Sequence, residues 1–104
     1  MALPPLTPEQ RAAALAKAAE ARSARAAVKS DLKAAKRPLA AVLREGRDNP
    51  VIGRMRVDAL LESMPGVGKV RAAQIMERIG IAKNRRVGGL GTHQIAALEA
   101  EFRA

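Results

Sequence analysis

The sequence predicts an all-α protein, a long N-terminal helix followed by a compact helical domain. Three observations carry this. From Glu9 to Arg37 there is neither glycine nor proline, and the composition is alanine with charged residues, which favours helix throughout. Beyond Pro38 the large apolar residues recur at three- and four-residue intervals in short runs, punctuated by Gly46, Pro50, Gly53, Pro65-Gly66 and Gly80. No run sustains the apolar–polar alternation of a half-buried strand.

The first helix starts at Pro8. Thr7 can cap it, proline suits the first helical position, and Gln10 completes a capping box. It is expected to run to Lys36, because Pro38 disfavours the helical conformation at Arg37. Its large apolar residues are only Leu15, Val28 and Leu32, so most of it should project from the core. Leu39 to Arg44 is a short helix that should stop at Gly46. Asp48-Asn49-Pro50 is turn chemistry, and Val51-Ile52 opens a further short turn before Gly53. Val57 to Met64, with Asp58 near its start, carries the stripe Val57, Leu60, Leu61 and Met64. After Pro65-Gly66 and Gly68 a partner helix follows, with Val70, Ala73, Ile75, Met76 and Ile79 as its apolar side and Gly80 as its C-terminal cap. Lys83 to Thr92 reads as a loop. Thr92 is expected to cap a last helix closed by Ile95, Leu98, Glu99 and Phe102. Residues 1–37 form the basic arm of this scheme and residues 38–104 the domain.

Composition narrows the function. A chain of 104 residues with 19 lysines and arginines against 10 acids has a formal charge of +9, which calls for a polyanionic partner. An anionic membrane is the poorer choice, because three large apolar residues cannot bury a useful helical face in lipid. Phe102 is the sole aromatic, so the stacking platforms of single-strand binders are absent and duplex backbone is favoured. Without cysteine and with one histidine, neither a metal site nor a cofactor is expected. Gly66-Val67-Gly68-Lys69 lacks the remaining parts of a dinucleotide fingerprint or a P-loop. The scattered acids and lone His93 make no catalytic set, so neither an enzyme nor a small-molecule substrate is expected. His93 is a surface or phosphate-contacting residue. Met1 to Leu6 lacks the features of a secretion signal, and a cytoplasmic protein is expected.

Two features address a polyanion. At about 100° per residue, and with Arg11 as zero, Arg22, Arg25, Lys29, Lys33 and Lys36 fall within roughly 40° of it. Glu9, Glu20 and Asp31 fall near the opposite side. A merely solvated alanine helix is the competing account, and segregation over about seven turns favours a binding face. The second feature is Met64-Pro65-Gly66-Val67-Gly68-Lys69-Val70-Arg71. Its glycines let the chain turn sharply into a helix, so that unpaired N–H groups and the positive helix end face outward, with Lys69 and Arg71 adding charge. An ordinary helical hairpin needs glycines only to turn; in a chain this basic, a nucleic-acid phosphate is the better reading.

The opening Met1-Ala2-Leu3-Pro4, the helix start Leu6 to Leu15, the hairpin Leu61 to Ala72 and the run Arg85-Arg86-Val87-Gly88-Gly89-Leu90-Gly91 together resemble the actinobacterial type of integration host factor. The resemblance spans nearly the whole chain. It implies a long helix joined to a helix-two-turn-helix domain, and a nucleoid-associated protein that bends or compacts duplex DNA and assists phage integration and gene regulation. It places one DNA contact on Met64 to Arg71. A second, a lid over the minor groove, falls on Ala82 to Gln94: Lys83, Asn84, the principal cations Arg85 and Arg86, then Val87, Gly88, Gly89, Leu90, Gly91, Thr92, His93 and Gln94. The chain departs from the family pattern at Gly88, where a third basic residue is common, so a weaker grip by the lid is expected. The stripe Arg11, Arg22, Arg25, Lys29, Lys33 and Lys36 is implied as a further, separate surface, able to bridge a second duplex segment. A free monomer is expected. The same hairpin is similar to that of a small-subunit ribosomal protein, which keeps RNA binding as the alternative. A repair glycosylase would need a catalytic pocket that this chain does not suggest.

Overall fold

The computed structural model describes residues 4–103. Met1 to Leu3, part of the opening quoted above, and Ala104 lie outside the described residues. Among the described residues six α-helices follow in order: α1 Pro8–Lys33, α2 Leu39–Asp48, α3 Pro50–Gly53, α4 Val57–Glu62, α5 Lys69–Ile79 and α6 Thr92–Glu101. A single 3-10 turn, Val87–Gly89, precedes α6. Among the described residues there is no strand beyond an isolated antiparallel bridge between Arg56 and Arg86. No described helix is long and apolar enough to cross a membrane.

The capping box at the start of α1 forms. The Gln10 N–H donates to Thr7 Oγ1 at 3.1 Å and the Thr7 N–H donates to Gln10 Oε1 at 3.0 Å. The other end departs from expectation: α1 stops at Lys33, not Lys36. Lys36 N–H donates to the Asp31 carbonyl at 2.8 Å and Ala35 N–H to that of Leu32 at 3.2 Å, which requires Ala35 at φ +56°. This paired closure satisfies the last carbonyls of the helix before Pro38 is reached. Lys36 therefore lies off the helix, outside the stripe.

Only Val28 and Leu32 of α1 are buried, and Leu15 is 64% exposed. These two side chains, worth roughly 1.5–3 kcal/mol each on full burial, fix the C-terminal part of α1 to the domain. The part before Ala21 stands in solvent. The core beneath is continuous, with Leu43, Leu60, Leu61 and Leu98 almost wholly enclosed and Phe102 half-buried against it.

Three further boundaries and one buried face differ. Helix α2 passes through Gly46 to Asp48. Gly46 is buried where a Cβ would stand 2.5 Å from Val87 Cγ1, and a Cβ on Gly53 would stand 2.7 Å from the Gly46 carbonyl oxygen. Glycine serves here to bring α2, α3 and the 3-10 turn together, not to end a helix. Helix α4 ends at Glu62, with Ser63 and Met64 bonded back in the turn. The buried stripe of α5 is Ala72, Ile75 and Met76, with Ile79 beside them, while Val70 is 72% exposed and Ala73 is exposed. Val70 lies about 160° around the helix from Ala72. Finally, Gly91 and not Thr92 is the N-cap of α6; Gly91 N–H donates to Gln94 Oε1 at 2.9 Å and Thr92 occupies the first helical position.

Candidate nucleic-acid interface

The turn between α4 and α5 is built so that one residue plugs it and its neighbours stay open. Val67 is buried and its N–H donates to the Met64 carbonyl at 3.1 Å. Gly66 sits at φ +74°, where a Cβ is strained. Gly68 is extended and precedes α5 with no side-chain cap. The first intrahelical bond runs from Ala72 N–H to the Gly68 carbonyl, so the N–H groups of Gly68, Lys69, Val70 and Arg71 have no backbone acceptor among the described residues. A Cβ on Gly68 would meet nothing within 4 Å. Glycine at this position puts no side chain beside the helix start.

Cations surround these amides unevenly. Lys69 lines one cleft of about 840 Å³ with Lys83 from the lid and Arg56, where Asp58, Glu62 and Glu77 supply as many acids. Hairpin and lid thus share a cleft. On the other side, Lys29, Ser30 and Lys33 of α1 face Glu62 to Gly68 across a cleft of about 660 Å³. Arg71 is elsewhere: it lines a small depression with Gln74, Arg78 and Glu101, because two residues of helix turn it about 200° from Lys69.

The lid is stitched to the segment before α4. Val57 N–H donates to the Arg85 carbonyl at 3.0 Å and Val87 N–H to that of Met55 at 2.9 Å. Arg86 Nη1 donates to the Arg54 carbonyl at 2.9 Å and Arg85 Nη1 to that of Gly89 at 3.0 Å. Both guanidiniums therefore shape the lid while keeping other N–H groups free. Val87 and Leu90 put their side chains in the core, and Gln94 Nε2 donates to the Gly80 carbonyl at 3.1 Å. Lys83, Asn84, Gly88, Gly89, Gly91, Thr92 and His93 are exposed. Gly88 lies against α3, where a Cβ would stand 3.2 Å from the Gly53 carbonyl oxygen.

The structure divides the α1 stripe. Lys29 and Lys33 face the hairpin; Arg25 is half-buried in a groove with Lys17, Pro50, Val51 and Arg54; Arg11 and Arg22 are exposed. Among the described residues the ion pairs are Arg37 with Asp31 and Glu45, Arg44 with Glu99, Arg56 with Asp58 and Arg78 with Glu101. None of them uses a cation of the hairpin, the lid or the stripe. Sequence reasoning missed Ser30, Glu62 and Ser63 as cleft residues and Arg54 as the lid's anchor. Ser30 was findable, since it lies between two lysines of the stripe; Arg54 serves through its carbonyl, which no side-chain pattern reveals.

A helical hairpin with open amides, fixed on a small α-helical core and faced by unpaired cations, defines a helix-two-turn-helix protein, and residues 32–102 match the family model described as the S13-like H2TH domain. The chain is 67% identical over 102 residues to the integration host factor of Streptomyces coelicolor, covering 98% of this chain and 95% of that protein. It is 53% identical to the integration host factor of Mycobacterium tuberculosis, again over 98% of this chain and 97% of that protein. A solved chain described as sIHF bound to an 8-bp palindromic DNA superposes with a TM-score of 0.81 at 62% identity, covering 83% of this chain and 97% of that one. The chain belongs to the actinobacterial integration host factor family.

Proposed function

We propose that this chain is a non-enzymatic architectural protein that holds duplex DNA by its backbone, through the hairpin and the lid, and bends or compacts it. The observation that carries the reading is the hairpin itself: four open amides at a helix start that Gly68 leaves without a side-chain cap, in a chain 62% identical to one solved on DNA. Amides and lysines address phosphate oxygens and carry no base information, so sequence selectivity is low. The lid's exposed face, with Lys83, Arg85 and Arg86 beside three glycines, has the slender, cationic character that suits a minor groove. By the same family membership, a place in the nucleoid and a part in phage integration and gene regulation follow as expectations.

The test is fluorescence anisotropy with duplex DNA, duplex RNA and single-stranded DNA of equal length at several salt concentrations. Duplex DNA is expected to bind tightest, with a steep salt slope, and unrelated duplex DNA to compete. Arg86→Ala should weaken different sequences alike and lower the slope by about one unit. Preference for duplex RNA would promote the second reading, an RNA-binding protein, which the S13-like hairpin favours.

A further inference from the structure

We infer that Lys29 and Lys33, with Ser30 between them, are the second jaw of the hairpin's phosphate site, so that one backbone phosphate is gripped from α1 and from the α4–α5 turn together. The inference rests on the proposed duplex binding and changes its geometry. A stripe along α1 by itself suggests an independent surface. The fold instead turns this part of it toward the hairpin.

The placement is fixed by the core. Val28 and Leu32 are 3% and 0% exposed, and each immediately precedes one of the two lysines. Burying the pair sets the rotation of α1, and Lys29 and Lys33, one turn apart, then stand on the same flank. That flank faces Glu62 to Gly68 across the cleft of about 660 Å³. Neither lysine is in an ion pair, and the Ser30 hydroxyl makes no hydrogen bond among the described residues, whereas Ser63 Oγ donates to the Ala59 carbonyl at 2.9 Å. The α1 wall therefore offers two unpaired ammonium groups and a free hydroxyl opposite the turn that ends at Gly68, whose N–H is the first of the open amides. A concave site with an excess of positive charge concentrates the field on an anion. Glu62 is the one acid lining it, and it tempers that field. Arg11 and Arg22, higher on α1, remain outside this site.

The experiment uses the full chain and one short labelled duplex, titrated at several salt concentrations. Lys29→Gln/Lys33→Gln should weaken binding about tenfold, the scale of losing a charge-assisted contact, and lower the salt slope by about one unit. Lys17→Gln removes a charge from another face of the same helix and should change affinity by less than about twofold. Ser30→Ala should weaken binding about threefold with the slope unchanged, because a neutral donor releases no counterion. Gly68→Ala places a methyl group in open space at a residue that lines the cleft, so folding is retained and the change falls on the cleft alone. Combined with the lysine pair, its effect should fall well short of additive, as expected for groups sharing one ligand. Full additivity, or a lysine pair that behaves like Lys17, overturns the composite site while duplex binding stands. A wild-type chain that binds no duplex overturns the proposed function and this inference with it.

Discussion

The domain and the arm present positive charge by different means. In the hairpin the candidate groups are backbone amides and in the lid they are side-chain cations, both on segments locked by Val67, Val87 and Leu90 in the core and by the pairing of residues 55–57 with 85–87. In the first half of α1 they are long side chains on a helix that touches no core. The first arrangement costs little further ordering on binding, and the second loses side-chain freedom with every contact it makes. The C-terminal half of α1 lies between these extremes, because Val28 and Leu32 lend it the rigidity of the domain.

Leucine truncation breaks the comparison most sharply. Leu98→Ala, at a side chain with no exposure, should destabilise the protein by about 2–5 kcal/mol, whereas Leu15→Ala should stay within about 0.5 kcal/mol. Urea unfolding of both variants, followed by circular dichroism, checks it. Next in size is Gly66→Ala, which forces a Cβ into φ +74° and should cost about 1–2 kcal/mol. Because it also distorts the open amides, affinity for duplex should fall along with the urea midpoint. Ala35→Gly runs the other way: it relieves the same backbone region at φ +56° and should raise stability by about 1 kcal/mol, read as an upward shift of the melting temperature. Smallest is Glu62→Gln. Removing the acid that lines both clefts should tighten duplex binding about threefold, and anisotropy at low salt is where the change shows.

Much of this was legible from the residues. Thr7, Pro8 and Gln10 announced the start of α1, Gly80 announced the end of α5, and the scarcity of large apolar residues in α1 announced its exposure. What failed has a common cause. Gly46 reads as a stop signal in isolation, and only the approach of Val87, some forty residues on, gives it a packing role. Val70 and Ala73 look like core because they are apolar, yet the rotation of α5 is set by Ala72, Ile75 and Met76. The hairpin and lid segments were visible as motifs. That Lys69 shares a cleft with Lys83, and Gly68 with Lys29 and Lys33, depends on tertiary contacts with no local signature. A helical wheel gave the stripe one face but could not say where a neighbouring element would cover or extend it.

The way the lid is tied down has a consequence for proteolysis. Lys83, Arg85 and Arg86 form the densest set of exposed tryptic sites after the hairpin, and by exposure alone they would be cut early. A protease needs several residues of backbone released into its cleft, and here release means breaking the bonds to Met55 and Val57 and withdrawing Val87 and Leu90 from the core. Arg11, Lys17 and Arg22 sit on a helix whose opening disturbs no such packing. Digestion should therefore shorten the chain from its N-terminal end and pause where Val28 enters the core, leaving the lid intact in the surviving fragment.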